Sequence, residues 1–287
     1  MKKFGLCAGL AGLFLFGLNS YSQTVSIGAR GGLSIPNIVS KGDNPLSKGY
    51  ESRVTGGGGL FAELGINNHV SFRLGVEYSD QGGQRKDMQA LPLKQMTDRM
   101  PAGMEEIGTI LGQAMPKGLF YADVKSTANF DYLMIPVSVQ IGTNANNRWR
   151  VYANVGPFVS FLLHGEQITK GQSKMYADEK KLETLWEHIT PYVANIPNIP
   201  AEMQPVLKGA LESETDFGST EDITSDLHRV NAGIQGDVGL SYRHERHRIF
   251  IEIGGNYGFI KMQKDEKNGS NRIGAGSVML GYALQLK

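Results

Sequence analysis

Apolar and polar residues alternate with period two along most of this chain. Between Arg229 and Phe259, Val230, Ala232, Ile234, Val238, Leu240 and Tyr242 share one parity, while Asn231, Gln235, Asp237, Ser241 and Arg243 hold the other. The polar stretch His244-Glu245-Arg246-His247 breaks the run. Alternation then resumes with Ile249, Ile251, Ile253, Tyr257 and Phe259 against Arg248, Glu252 and Asn256. Successive side chains of a strand point to opposite faces, so the pattern predicts a β-hairpin with one apolar and one polar face. Each run is long enough to cross a bilayer at a tilt. The polar face carries full charges in mid-strand, and apolar outside with charge inside is the sense of a transmembrane β-barrel.

Six further stretches read the same way. Thr24 to Ser34 sets Val25, Ile27, Ala29 and Leu33 against Ser26, Arg30 and Ser34, and a polar loop with Pro36 and Pro45 follows. Thr55 to Ile66 opens on Gly56 to Gly59, then alternates Leu60, Ala62 and Leu64 with Phe61 and Glu63. Asn67-Asn68 reads as a two-residue turn, because Asn tolerates positive φ. Val70, Phe72, Leu74, Val76 and Tyr78 then oppose Ser71, Arg73, Glu77 and Ser79. Leu133 to Ile141 contains Pro136, which fits a bulge or an edge-like position. Trp149 to Leu163 places Arg150, Tyr152, Asn154 and Ser160 on the polar side. The last strand puts Val278, Leu280, Tyr282, Leu284 and Leu286 outside.

The alternation stops in two long inserts, over about 84–128 and 165–228. In the first, Met104 to Met115 has helical spacing, with Ile107, Ile110, Leu111 and Met115 on one face. In the second, Lys180 to Thr190 carries Leu182, Leu185, Trp186 and Ile189 on one side. A further helix begins near Pro200 with Met203, Val206, Leu207 and Leu211, and Pro191 and Pro197 separate the two. The sequence therefore predicts an all-β fold: an eight-stranded antiparallel up-and-down transmembrane β-barrel with two helical extracellular loop inserts. Connections alternate long and short, as expected for short periplasmic turns and longer outer loops. Aromatics sort by height: Phe72, Trp149, Tyr242 and Tyr282 near the short turns, Tyr78, Phe161, Tyr257 and Phe259 near the long loops. A soluble eight-stranded barrel that binds a ligand is the alternative. Periodicity alone does not choose between them; the girdles and the bilayer-matched strand lengths favour the membrane.

Composition adds the export signal and removes some chemistry. Lys2 and Lys3 precede an apolar run from Phe4 to Leu18, and Ser20-Tyr21-Ser22 supplies small residues before Gln23, so residues 1–22 read as a signal peptide and 23–287 as the barrel domain. Cys7, the only cysteine, lies too early for a lipid anchor, so the mature chain has no disulfide and no cysteine chemistry. Of the 29 basic residues, loss of Lys2 and Lys3 leaves 27 against 28 acidic ones, a net charge near −1 that gives nucleic-acid binding no support. Glycine is abundant, with 37 residues, as close strand approach requires. Mean hydropathy is −0.24, too low for a helical membrane protein.

Several segments resemble the PorT-like family of outer-membrane β-barrels. They are Gly28-Ala29-Arg30-Gly31-Gly32-Leu33-Ser34, Gly75-Val76-Glu77-Tyr78-Ser79-Asp80-Gln81-Gly82, Leu133-Met134-Ile135-Pro136-Val137 and Gly156-Pro157-Phe158. The resemblance covers the strands and neither insert. It implies eight strands and a non-enzymatic role in the outer membrane of a Gram-negative bacterium, and one namesake is tied to a secretion machinery. The chain departs from the pattern in its inserts and in ending on Leu286-Lys287, without a terminal aromatic.

The predicted lumen carries Arg30, Arg73, Arg150, Arg243 and Arg248 with Glu63, Glu77, Asp237 and Glu252. Eight strands leave room only for side chains, so these charges must pair. His164 and His228, with Glu166 and Asp226, fall near the outer rim. They are the candidates for the alternative of a rim-active enzyme, but rim histidines are more often solvated, and the expectation is no enzyme and no cofactor. No His-x-x-x-His spacing supports a metal site, and Gly56 to Gly59 lacks the Lys and the helix of a phosphate loop. The partner-facing candidates are Ile107, Leu111, Leu182, Leu185, Trp186 and Ile189. The functional expectation is a monomeric barrel with a closed charged lumen, contacting outer-membrane lipid and an extracellular or membrane protein through the inserts. The alternatives are a rim-active enzyme, an assembly factor of a secretion apparatus, and the soluble binder.

Overall fold

The computed structural model describes residues 24–40, 43–98, 105–193, 203–265 and 269–286. The signal segment, Cys7, Met104, Pro197, Pro200 and Lys287 lie outside the described residues. Eight long strands form one antiparallel hydrogen-bonded ring. In chain order the strands are β1 (Thr24–Ser40), β2 (Thr55–Gly65), β3 (Val70–Arg85), β4 (Met88–Pro92), β5 (Leu119–Asp123), β6 (Lys125–Gly142), β7 (Trp149–Lys170), β8 (Gln172–Ser173), β9 (Thr215–Asp216), β10 (Ser219–Asp222), β11 (Val230–His244), β12 (His247–Gly258) and β13 (Asn271–Gln285). The ring runs β1-β2-β3-β6-β7-β11-β12-β13 and returns to β1, and β10 adds to the free upper edge of β7. Among the described residues, four α-helices lie in the inserts: α1 (Leu93–Thr97), α2 (Glu105–Ala114), α3 (Leu185–Val193) and α4 (Met203–Glu212).

The period-two reading matches the burial of the strands. Val25, Ile27, Leu33, Leu60, Leu74, Val151, Val238, Ile249 and Leu280 are exposed on the outer face, while Arg30, Glu63, Arg73, Asn154, Asp237 and Glu252 are buried inside. Four large rings inside stand directly across from a glycine on the next strand: Phe61 opposite Gly28, Tyr152 opposite Gly239, Phe158 opposite Gly233 and Phe250 opposite Gly281. A Cβ built on Gly281 falls 2.1 Å from Phe250 Cζ, so the ring occupies the space that a side chain would need. The high glycine content therefore makes room for inward aromatics.

Several predicted boundaries and turns differ. The strands run past the predicted ends: β1 continues through Pro36 to Ser40, β3 to Arg85 and β7 to Lys170, and β6 starts at Lys125. The β3 and β7 extensions are largely polar, as in Gln81-Gly82-Gly83-Gln84-Arg85, so no hydrophobic period reports them, whereas the β1 extension through Pro36 carries Ile35 and Val39 outward and Ile38 inward. The first insert is consequently part β, a β4–β5 hairpin enclosing α1 and α2. Asn67 does not act through positive φ; its side-chain oxygen accepts the N–H groups of His69 (2.8 Å) and Val70 (2.9 Å). Pro136 sits in the ring wall with register intact and neighbouring bridges missing, facing Gly75, and the bulge falls instead at Asp131/Tyr132. Pro191 lies inside α3 and does not end it.

Candidate functional site: the lumen and the insert domain

The middle of the ring holds a neutral charge cluster of four guanidinium groups and four carboxylates. Glu252 on β12 is its hub, fully buried. It accepts hydrogen bonds from Arg30 (2.8 Å), Arg73 (2.6 Å), Tyr152 (2.9 Å) and Asn154 (3.0 Å). Arg30 also holds Glu77 with two parallel bonds of 2.9 Å and reaches Asp237 at 3.5 Å. Glu63 receives both terminal nitrogens of Arg248 (3.0 and 2.5 Å), the Ser71 hydroxyl (3.0 Å) and Arg73 (3.4 Å), with Arg150 at 4.0 Å. The Arg73 guanidinium lies 4.4 Å from the Phe61 ring centre and 5.5 Å from that of Phe250. Such two-pronged, aromatic-stacked contacts suit Arg and not Lys.

Arg243 stands outside this cluster. It is half-buried at the short-turn end, where its partner is Gln285 at 3.4 Å. Arg248, on the same parity, takes the place beside Glu63. Parity identifies the inward side but not the height, and height separates these two arginines. Ser71, Gln140, Tyr152 and Asn154 complete the network; inward polar parity was their only signal. The interior is also not charged throughout. Above the cluster, Phe130, Tyr132, Met134, Phe158 and Leu162 join Ile38, Leu227, Met262 and Ile273 in an apolar plug at the long-loop end.

The two inserts build one domain with its own apolar core. Leu91, Leu93, Ile107, Ile110, Leu111, Met115 and Phe120 from the first pack with Met175, Leu185, Ile189, Val193, Leu207, Leu211 and Phe217 from the second. A helix with one apolar face must bury it, and here each insert covers the other. Strand-like bridging of Tyr121 to Tyr176 and the His188 ring, between Glu183 (2.8 Å) and the Ala114 carbonyl (3.2 Å), fix the two together. Thr184 and Glu187 start α3 with a reciprocal cap: Glu187 accepts the Thr184 N–H (2.8 Å) and hydroxyl (2.9 Å), and the Thr184 hydroxyl oxygen accepts the Glu187 N–H (3.2 Å).

Ile107, Leu111, Leu185 and Ile189 are thus interior residues of the insert domain, not surface ones. Trp186 is half-buried against the same core. Leu182 precedes α3 in a turn held by the Asp178 carboxylate and is 79% exposed. At the rim, His164 lies 3.8 Å from Glu166 and 4.0 Å from Asp222. The His228 N–H bonds the Met262 carbonyl, and no ion pair joins it to His164, Glu166 or Asp226 among the described residues.

Among solved structures, the chain is similar to the attachment invasion locus protein Ail of Yersinia pestis, at 10% identity over 91% of this chain and 98% of that one with a TM-score of 0.33. It is also similar to a major outer membrane protein from Thermus thermophilus, at 10% identity over 93% and 100% with a TM-score of 0.38. OprG from Pseudomonas aeruginosa gives 8% identity over 92% and 97%, with a TM-score of 0.34. No curated protein matches in sequence. The profile of the outer membrane protein beta-barrel domain matches residues 21–264. With most of its length matched, and with an apolar outer face around a salt-bridged interior, the chain belongs to the outer membrane protein beta-barrel domain family and to the outer membrane of a Gram-negative bacterium.

Proposed function

We propose that this protein is a closed transmembrane barrel, monomeric and non-conducting, that acts as an interaction protein through its insert domain. The observation that carries this reading is the shared apolar core of the two inserts. Long connections in a compact domain are usually functional or disordered, and these are folded. The neutral charge cluster and the apolar plug occupy the bore at two heights, which supports closure. Charge pairing on eight strands supports stability and closure better than transport. The finer likeness to PorT-like proteins rests on the strand motifs around Arg30, Glu77, Pro136 and Pro157, and it points to a part in a larger envelope assembly.

Both inserts are tied at the neck by a single backbone bond, Val124 N–H to Asp87 (3.2 Å) and Phe217 N–H to Gly171 (3.0 Å). Joining Asp87 to Val124 and Gly171 to Phe217 therefore removes the domain with little disturbance of the ring. The shortened protein is expected to remain heat-modifiable in detergent gels and to lose its partner on co-purification from native membranes. If it keeps the partner, binding belongs to the ring wall or the short turns. A steady conductance of the full-length protein in planar bilayers would refute closure.

A further inference from the structure

Among the described residues, four arginines are buried below a tenth of their surface: Arg30, Arg73, Arg85 and Arg150. Three of them meet carboxylates in the lumen. Arg85, at the upper end of β3, meets none among the described residues. Its Nη1 donates to the Leu46 carbonyl (3.0 Å), its Nε is buried without a partner, and its guanidinium lies 4.8 Å from the Tyr50 ring centre. A buried charge with one neutral acceptor is costly unless a counter-charge arrives.

Arg85 lines a cavity of about 240 Å³ between the insert domain and the ring mouth. At roughly 30 Å³ per water this holds about eight waters, so its occupant is smaller than a drug-sized ligand. Much of the remaining wall is apolar: Ile38, Tyr50, Leu91, Phe130, Leu227 and Met262. The Asn271 side-chain oxygen, also in the lining, is buried without a partner. Glu221 and Asp226 are also in the lining. Glu221 on β10 is in register with Gly83 of β3, three strands away through Ala128 and Gln167, and among the described residues no ion pair joins it to Arg85.

We propose that this cavity binds a small monocarboxylate with an apolar body, its carboxylate on Arg85 and its tail against Phe130, Leu227 and Met262. Glu221 and Asp226 repel a second negative charge, so the site rejects dianions and phosphate. The site is independent of whether the insert domain binds a protein partner.

The test is calorimetric titration of the full-length protein in nanodiscs with hexanoate, with empty nanodiscs as reference. Wild type is expected to bind hexanoate, and Arg85→Met to bind at least tenfold more weakly while staying folded, because it removes an uncompensated buried charge. Lys86→Gln, beside a second opening on the other side of Arg85, is expected to leave the affinity unchanged. Succinate and inorganic phosphate are expected not to compete, and hexylamine not to bind. Equal binding by wild type and Arg85→Met, or no binding by wild type, overturns the proposal. Loss of affinity in Lys86→Gln moves the site and overturns it, and displacement of hexanoate by phosphate overturns the ligand class.

Discussion

The ring and the insert domain bury opposite chemistry. At the centre of the ring lie Arg30, Arg73, Glu63 and Glu252, with Val and Leu side chains outside; at the centre of the insert domain lie Leu111, Leu185 and Ile189, with Lys and Glu outside. The difference follows from the solvent. A wall that faces lipid has no reason to turn its apolar side inward, so its interior is held by directional, charge-assisted bonds. The inserts stand in water and are held by apolar burial. The two regions should therefore fail differently: loss of one charge in the ring strands its partners, whereas loss of one methyl group in the inserts opens a void.

The largest expected effect is at the hub. Glu252→Ala leaves Arg30 and Arg73 buried with fewer partners and should cost about 3–5 kcal/mol, read by urea unfolding of the refolded protein in detergent. Asp237→Ala should cost markedly less, because Asp237 meets Arg30 at 3.5 Å while Glu77 and Glu252 still hold that arginine. Equal losses at the two sites would mean that the cluster shares charge diffusely and has no hub.

Next comes the insert core. Leu111→Ala should cost about 2–5 kcal/mol of insert-domain stability. Hydrogen exchange should rise in α2 and α3 while heat-modifiable migration of the ring is unchanged. Loss of ring stability in the same variant would show that the two regions fold as one unit. A smaller effect is expected at the aromatic slots: Gly281→Ala should cost about 1–3 kcal/mol through the clash with Phe250. Phe250→Leu in the same chain should recover part of that loss in the same urea assay.

The smallest effect is a pH dependence confined to the insert domain. The N–H and hydroxyl of Thr184 hold the Glu187 carboxyl below its ordinary value. A carboxylate lowered on folding contributes stability that is complete above its unfolded pKa and is lost as pH falls through the lower folded value. Protection of the amides at the start of α3, taken relative to their intrinsic exchange rate at each pH, should therefore fall as the medium is acidified below the ordinary carboxylate range. Thr184→Ala, expected to cost about 1 kcal/mol, should weaken that pH dependence, because the residue 184 N–H still reaches Glu187, and Glu187→Gln should remove it. If the dependence persists in Glu187→Gln, the cap is not its source.

Much of this was legible in the chain. The eight wall strands, their inward and outward faces and the helical spacing of the inserts follow from local periodicity, as Val238 outward and Asp237 inward illustrate. The β3 and β7 extensions above the ring were not legible, because Gln81 to Arg85 and Glu166 to Lys170 are largely polar and carry no contrast between faces. Nor was the surface of the inserts: the same spacing that marks Leu185 and Ile189 as an apolar face cannot say that Leu111 of the other insert covers it.

By itself, the sequence determined which side of each wall strand is apolar and how the long and short connections alternate, because pleat and turn are set within a few residues. Tertiary structure alone decided that Arg30 meets Glu252, 222 residues away. It also decided that Arg248 and not Arg243 completes Glu63, that the inserts share a core, and that Arg85 is left facing a cavity without a counter-charge. Those outcomes depend on the height and stagger at which the ring closes, and no local period of the chain encodes either.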